Sequence, residues 1–189
     1  RKLAIEGDSM TVSLRDRIAA EMPKVQLTTT TGLVEQFRQI KDKTEIARIR
    51  QAVWQAEKGV SVLRATLRPE KTEREVRDEL EYQMRVFGAD DRGFPTLVAV
   101  GPRAALPHAT VTDRPIGASD FVRIDWGASG GLYKSDLTRV LVTGKISPKL
   151  KRVYRVVLNA QLKGIDAIRP GVTGEHVDSV ARGVIEKAG

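Results

Sequence analysis

A chain of 189 residues with 41% hydrophobic content can bury a core, and it holds no apolar run near the roughly 18–20 residues that a membrane-spanning helix needs. It has no cysteine, which excludes a disulfide framework, a thiolate metal site and a cysteine nucleophile, and leaves His, Asp and Glu as ligands. The formal net charge of +8, from 32 Lys and Arg against 24 Asp and Glu, is scattered among acids on helix faces with few aromatics to stack on bases, so it reads as a solvated surface and not as a nucleic-acid footprint.

Residues 1 to about 40 read as short α/β pieces: a strand at Leu3–Ile5, a helix opened by Ser13 with Leu14, Ile18 and Met22 on one face, and a strand near Val25–Thr28. At Asp42 a long helix begins. Asp42 and Glu45 form its capping box, and Ile46, Ile49, Val53, Ala56, Val60 and Leu63 make an apolar stripe predicted to be core. A second capping box, Thr72 to Glu75, opens a helix carrying Val76, Leu80 and Met84 that Gly88 stops. The period then switches to strand. "TLVAV" (Thr96–Val100) leads into the loop "GPRAALPHAT", and "FVRIDWGA" and "LYKSDLTRVLVTG" follow as a strand pair around Ser129, Gly130 and Gly131. Ser147 and Pro148 start a helix running to about Ile168, and a last helix covers about Glu175 to Ala188. No internal repeat is visible. Helix, helix, strand, strand pair, helix, helix predicts an α+β fold, an antiparallel sheet with helices packed on one face.

The strand pair raises a question of charge. A two-residue turn at Gly130–Gly131 pairs Ser129 with Leu132 and, four pairs further on, sets Asp125 opposite Asp136. Carboxylates about 5 Å apart repel by on the order of 3 kcal/mol at an effective dielectric near 20. Solvent and the neighbouring Arg123, Lys134 and Arg139 can screen that, one carboxyl can keep its proton, or a cation can sit between the two. His108 lies in the loop before the pair, where its imidazole could reach over the carboxylate face. His176, in the first turn of the last helix, reads as structural or solvent-exposed.

Together "KDKTEIARIRQA", "FPTLVAVGP", "PHA", "IDWGA" and "SDLTR" resemble the pita-bread-fold metallopeptidases, in their Xaa-Pro aminopeptidase and prolidase branch. Seventeen positions separate His108 from Asp125 and eleven separate Asp125 from Asp136. The resemblance implies a dinuclear metal-bridged hydroxide that hydrolyses the bond between an N-terminal residue and proline. Asp125 would chelate one metal, Asp136 would bridge both, and His108 would contact substrate as a catalytic residue. Two divalent ions are implied, Mn first and Co or Zn as alternatives. The implied partner is a peptide with proline at its second position, with no nucleic acid and no membrane, and the complete protein is expected to be a cytoplasmic homodimer. A prolidase acting on Xaa-Pro dipeptides and a metal-free binding protein of the same fold are the alternatives. Residues 1–40 correspond to the tail of an N-terminal creatinase-like α/β domain plus linker, and 41–189 to the N-terminal half of the catalytic domain. The family's metal-binding His and two Glu are expected beyond this half, so the chain reads as truncated and inactive alone.

Overall fold

The computed structural model describes residues 1–117 and 121–189. It divides into two compact units, Arg1–Ala47 and Arg48–Gly189.

In the first unit β1 (Lys2–Glu6) and β2 (Gln26–Thr30) pair in parallel, Lys2 with Gln26 through Glu6 with Thr30. Parallel neighbours need a crossover, which α1 (Val12–Glu21) supplies. Thr11 caps that helix by accepting the Leu14 N–H at 3.3 Å. The cap stands two residues before the predicted Ser13, since either hydroxyl can serve the same apolar stripe. Behind Gly32, at φ +67°, comes α2 (Leu33–Gln39), which the sequence reading missed; seven residues are too few for a helical period to stand out. Ile5 is the buried hydrophobic side chain of this unit among the described residues.

The long helix is α3 (Lys43–Thr66). Its capping box forms as predicted: the Glu45 N–H donates to Asp42 Oδ1 at 2.8 Å and the Asp42 N–H to Glu45 Oε2 at 2.7 Å. Burial starts later than the predicted stripe. Ile46 is 43% exposed, and the buried face comprises Ala52, Gln55, Ala56, Gly59, Val60 and Leu63. The helix meets the strand pair only from Ala52 onward, where the Ala52 and Ala56 carbonyls accept the Ser135 hydroxyl and the Trp126 indole N–H, each at 3.0 Å. α4 (Glu73–Val86) follows behind its Thr72–Glu75 capping box and ends before Gly88 at φ +90°.

The remaining strands are β3 (Asp91–Arg92), β4 (Leu97–Val100), β5 (Val122–Trp126), β6 (Ala128–Gly130), β7 (Tyr133–Lys134) and β8 (Leu137–Leu141). They form two three-stranded antiparallel sheets, ordered β3-β6-β7 and β4-β5-β8. Alternation along β5 separates two faces. Val122, Ile124 and Trp126 are fully buried against Val60, Leu63, Val76, Leu80 and Met84 from α3 and α4. Arg123 and Asp125 take the opposite face. This is the predicted α+β arrangement.

The last helices, α5 (Pro148–Ala167) and α6 (Gly174–Glu186), cross where Gly164 brings its backbone onto Ala181, whose Cβ would lie 3.4 Å from an added Cβ. The structure also exposes a repeat that the sequence reading did not find. α3 and α5 end at Thr66 and Ala167, and α4 and α6 start at Glu73 and Gly174, in both cases 101 residues apart. The same offset relates Arg68-Pro69 to Arg169-Pro170, the N-caps Thr72 and Thr173, Val76 to Val177, and Gly88 to Gly189, whose φ values are +90° and +89°. Few identities over so long a separation are hard to see until the helix boundaries align them.

The hairpin turn lies one residue later than predicted. Gly130 pairs with Tyr133, so Gly131 and Leu132 are the two turn residues, at φ +56° and +70°. A Cβ at Gly130 would lie 3.0 Å from Gln55 Oε1, so a side chain there is crowded, while the Gly131 N–H donates to Asp90 Oδ2 at 2.7 Å and ties the turn. Leu132 therefore occupies a left-handed conformation that costs a branched side chain about 1 kcal/mol, and at 93% exposure it gains nothing from burial. Leu132→Asn is expected to stabilise the protein by about 0.5–1 kcal/mol, read as a higher denaturation midpoint; a lower midpoint contradicts the assignment of strain.

Candidate functional site

The shifted turn moves the register by two residues. Asp125 pairs with Thr138 on β8 and Leu97 on β4, and the predicted direct opposition of Asp125 and Asp136 does not occur. A shift of two keeps every side chain on its face. Asp136 stands two residues before Thr138, making it a diagonal neighbour of Asp125, and its negative charge reaches the Asp125 carboxyl. The two carboxylates thus converge on one face, though less tightly than a directly opposed pair.

Ser135 and Gly127 aim Asp136. A Cβ on Gly127 would lie 1.9 Å from the Ser135 carbonyl oxygen, so no side chain fits there. The Ala128 N–H donates to the Ser135 hydroxyl at 2.9 Å, and that hydroxyl in turn donates to Ala52. Ladder bonding is interrupted between β7 and β8, and Asp136 emerges into solvent from the gap. The glycine in "DWGA" was the available signal for this close approach.

Asp125 is half-buried at the centre of the β4-β5-β8 sheet. Its pKa is pushed upward, first by burial and then by the Asp136 charge; a hydrogen bond from Thr138 and the positive charges of Arg123 and His108 pull the other way. Its Oδ1 atom is buried and has no hydrogen-bond partner. An unpaired buried carboxylate oxygen is costly, and a hard divalent cation is the species that such an oxygen, with a second carboxylate beside it, is suited to hold. The donors present fit a metal in this respect. Among the described residues no group of three or more His, Asp or Glu side chains is disposed to hold an ion.

His108 is exposed on the loop after β4. The loop folds back across the carboxylate side of the sheet, where Ala104 and Ala109 bury against Ala99, the β4 partner of Arg123, and against Phe121. Three charged side chains hold it. The carboxylate of Glu73, fully buried at the start of α4, accepts the N–H groups of Val100 at 3.1 Å and Thr112 at 2.9 Å and the Thr112 hydroxyl at 2.7 Å. Arg103 pairs with Glu73 at 3.4 Å and donates to the Thr110 carbonyl at 2.6 Å. Arg123 donates to the carbonyls of Leu106 and Pro107. The sequence reading missed Glu73 and Arg103 and took Arg123 only as a nearby charge. An acid at the first position of a helix ordinarily signals the helix dipole, and nothing in its local sequence announces a buried acceptor for a loop some 40 residues on.

His176 is exposed in the first turn of α6, and its N–H donates to the Thr173 cap at 3.1 Å. A cleft of about 690 Å³ between α5 and α6, lined by Lys151, Arg152, Arg155 and Lys187 with apolar neighbours, contains no carboxylate or imidazole. That chemistry is wrong for a cation, which leaves the Asp125 face as the candidate site.

Comparison with known proteins agrees with the motifs. The profile of Metallopeptidase family M24 matches residues 47–189. An Xaa-Pro dipeptidase of Pyrococcus furiosus is 35% identical over 187 residues, 99% of this chain and 53% of the relative. Among solved structures, the X-Pro aminopeptidase from Thermotoga maritima superimposes with a TM-score of 0.94 at 35% identity, over 100% of this chain and 54% of that one. The Xaa-Pro dipeptidase from Bacillus anthracis does so at 0.93 and 37% identity, over 100% and 53%. The chain spans about half the length of the curated relatives it matches.

Two outcomes test this description. With its pKa raised on folding, Asp125 contributes stability that is complete below the ordinary carboxylate pKa and is lost as pH rises through the raised value. In the presence of a chelator, Asp125→Asn is therefore expected to raise the thermal midpoint near pH 7 and to flatten its decline from about pH 4 upward; a lower midpoint for the variant rules the burial argument out. Glu73→Ala strands two backbone N–H groups and Arg103, and should cost about 3 kcal/mol in a denaturant titration, with Glu73→Gln costing less. A loss below about 1 kcal/mol for the alanine variant would mean that the carboxylate does not hold the loop.

Proposed function

The chain belongs to metallopeptidase family M24, and we propose that the protein it represents is a metal-dependent exopeptidase that cleaves the bond between an N-terminal residue and a following proline. The observation that carries the reading is the convergence of Asp125 and Asp136 on one sheet face, with Asp125 Oδ1 buried and unpartnered. The names of the Pyrococcus, Thermotoga and Bacillus relatives support the substrate class. Action on Xaa-Pro dipeptides is the second reading, favoured because two of these three relatives are named dipeptidases.

In this reading Asp125 and Asp136 hold a pair of divalent ions, manganese in first place, with further donors supplied from outside the described residues. Such ions, when bound, acidify water and polarise the scissile carbonyl. The chain's own part is electrostatic and positional. Asp125 presents a fixed oxygen from a rigid central strand. Asp136, released from the ladder by Ser135, presents the second from a less constrained backbone. His108 offers an imidazole N–H to the substrate carbonyl and stabilises negative charge as it develops there. Residues 41–189 are assigned to the first half of the pita-bread catalytic domain and 1–40 to the end of a preceding domain, an assignment supported by the half-length match and by the division near Ala47. A homodimer in the cytoplasm completes the proposal.

The test uses the complete protein loaded with Mn(II). Hydrolysis of Xaa-Pro-containing peptides is expected, and Asp136→Ala should lower kcat by at least about 100-fold together with the bound metal content. Undiminished turnover in that variant rejects the role given to Asp136. The relative rates on a dipeptide and on a longer peptide decide between the two substrate readings.

A further inference from the structure

We propose that Arg123 is a positioning residue for His108: it ties the His108 loop to the strand that carries Asp125 and so sets where the imidazole stands over the carboxylate face. The inference rests on the peptidase reading above and adds a residue to it.

Arg123 lies two positions before Asp125 on β5 and therefore shares its face. Its Nη2 donates to the Leu106 carbonyl at 2.6 Å and to the Pro107 carbonyl at 3.0 Å. The second bond is the informative one. The Pro107 carbonyl belongs to the same planar peptide unit as the His108 nitrogen, and the proline ring fixes φ on the other side of that carbonyl. Anchoring both oxygens fixes the plane from which the His108 side chain departs. Glu73 and Arg103 grip the loop at Val100, Thr110 and Thr112, and the turn closes on itself through the Leu106 N–H to Arg103 and the Ala109 N–H to Leu106; Arg123 is the side chain that joins this turn to β5. Ala109, next to His108, is buried against Ala99, the β4 partner of Arg123, which sets this part of the loop on the same face.

A charge-screening role for Arg123 is the rival. Among the described ion pairs Arg123 forms none, and its Nε is buried without a partner. The side chain directs its donors to loop carbonyls instead of to either aspartate. Screening would survive in Arg123→Lys and would act whether or not His108 is present. Positioning by a planar fork survives only in part in lysine and acts only through His108.

A double-mutant cycle in the complete, Mn(II)-loaded protein separates the two. Arg123→Met is expected to lower kcat about 10- to 100-fold, because misplacing a catalytic group by about 1 Å has effects of that size, with KM and bound metal changed less than about threefold. In a His108→Ala background the same substitution should change kcat by less than about twofold, and Arg123→Lys should recover part of the loss. Additive effects of Arg123→Met and His108→Ala, or full recovery in lysine, would overturn the proposal. Amide hydrogen exchange gives a readout free of activity: segment 104–110 should exchange faster in Arg123→Met and Arg123→Lys than in the wild type, and unchanged exchange would overturn the tie itself. If the wild type fails to hydrolyse any Xaa-Pro peptide, the peptidase reading and the catalytic purpose of the tie fall together, while exchange still reports whether Arg123 holds the loop.

Discussion

The contact between Gly127 and Ser135 governs how the hairpin presents its acids. The two backbones approach so closely there that only hydrogen fits on the Gly127 α-carbon, and the Ser135 hydroxyl stands in for a ladder carbonyl. The pairing is interrupted without being shifted: Asp125 with Thr138 on one side and Ser129 with Lys134 on the other belong to one register. A side chain at 127 would have to push the strands apart and would detach Asp136 from the face that Asp125 occupies. A glycine and a serine thus do the geometric work for two residues that carry the charge.

Much of this was legible beforehand, for a reason that differs from element to element. Both capping boxes, the Val76, Leu80 and Met84 stripe and the alternation along β5 are local patterns, and local patterns survive into the fold. The turn was misplaced because Gly130 and Gly131 are equally tolerant of positive φ, and the turn that forms is the one tied by Asp90, a side chain 41 residues from Gly131. Face membership survived that error because the slip was even. The α3 stripe was extended too far toward the N-terminus because periodicity reports which side of a helix is apolar and not which turns meet a sheet. Glu73 stayed invisible because its partners lie across a long loop.

The site combines a stable scaffold with an unsatisfied centre. β5 is sealed on one side by Trp126, Ile124 and Val122, with the Trp126 indole tied to α3, which fixes the strand that carries Asp125. Glu73, fully buried at the start of α4, is fully engaged by the loop. The two carboxylates therefore have opposite fates: fully buried Glu73 is consumed by backbone donors and becomes structural, while half-buried Asp125 keeps one oxygen without a partner and becomes available for chemistry.

The correspondence at an offset of 101 residues equips the molecule with an internal control. Thr72 and Thr173 perform one capping task at the heads of α4 and α6, yet the first helix lays Val76, Leu80 and Met84 beneath a sheet while the second buries none of its described residues. Alanine at Thr173 removes the bond from the His176 N–H, whereas alanine at Thr72 removes both the bond from the Glu75 N–H and the hydroxyl's own bond to the Glu75 carboxylate. The cost at Thr72 beyond that second bond then reads how much a helix roofed by a sheet amplifies a local flaw that a helix packed on α5 absorbs by fraying.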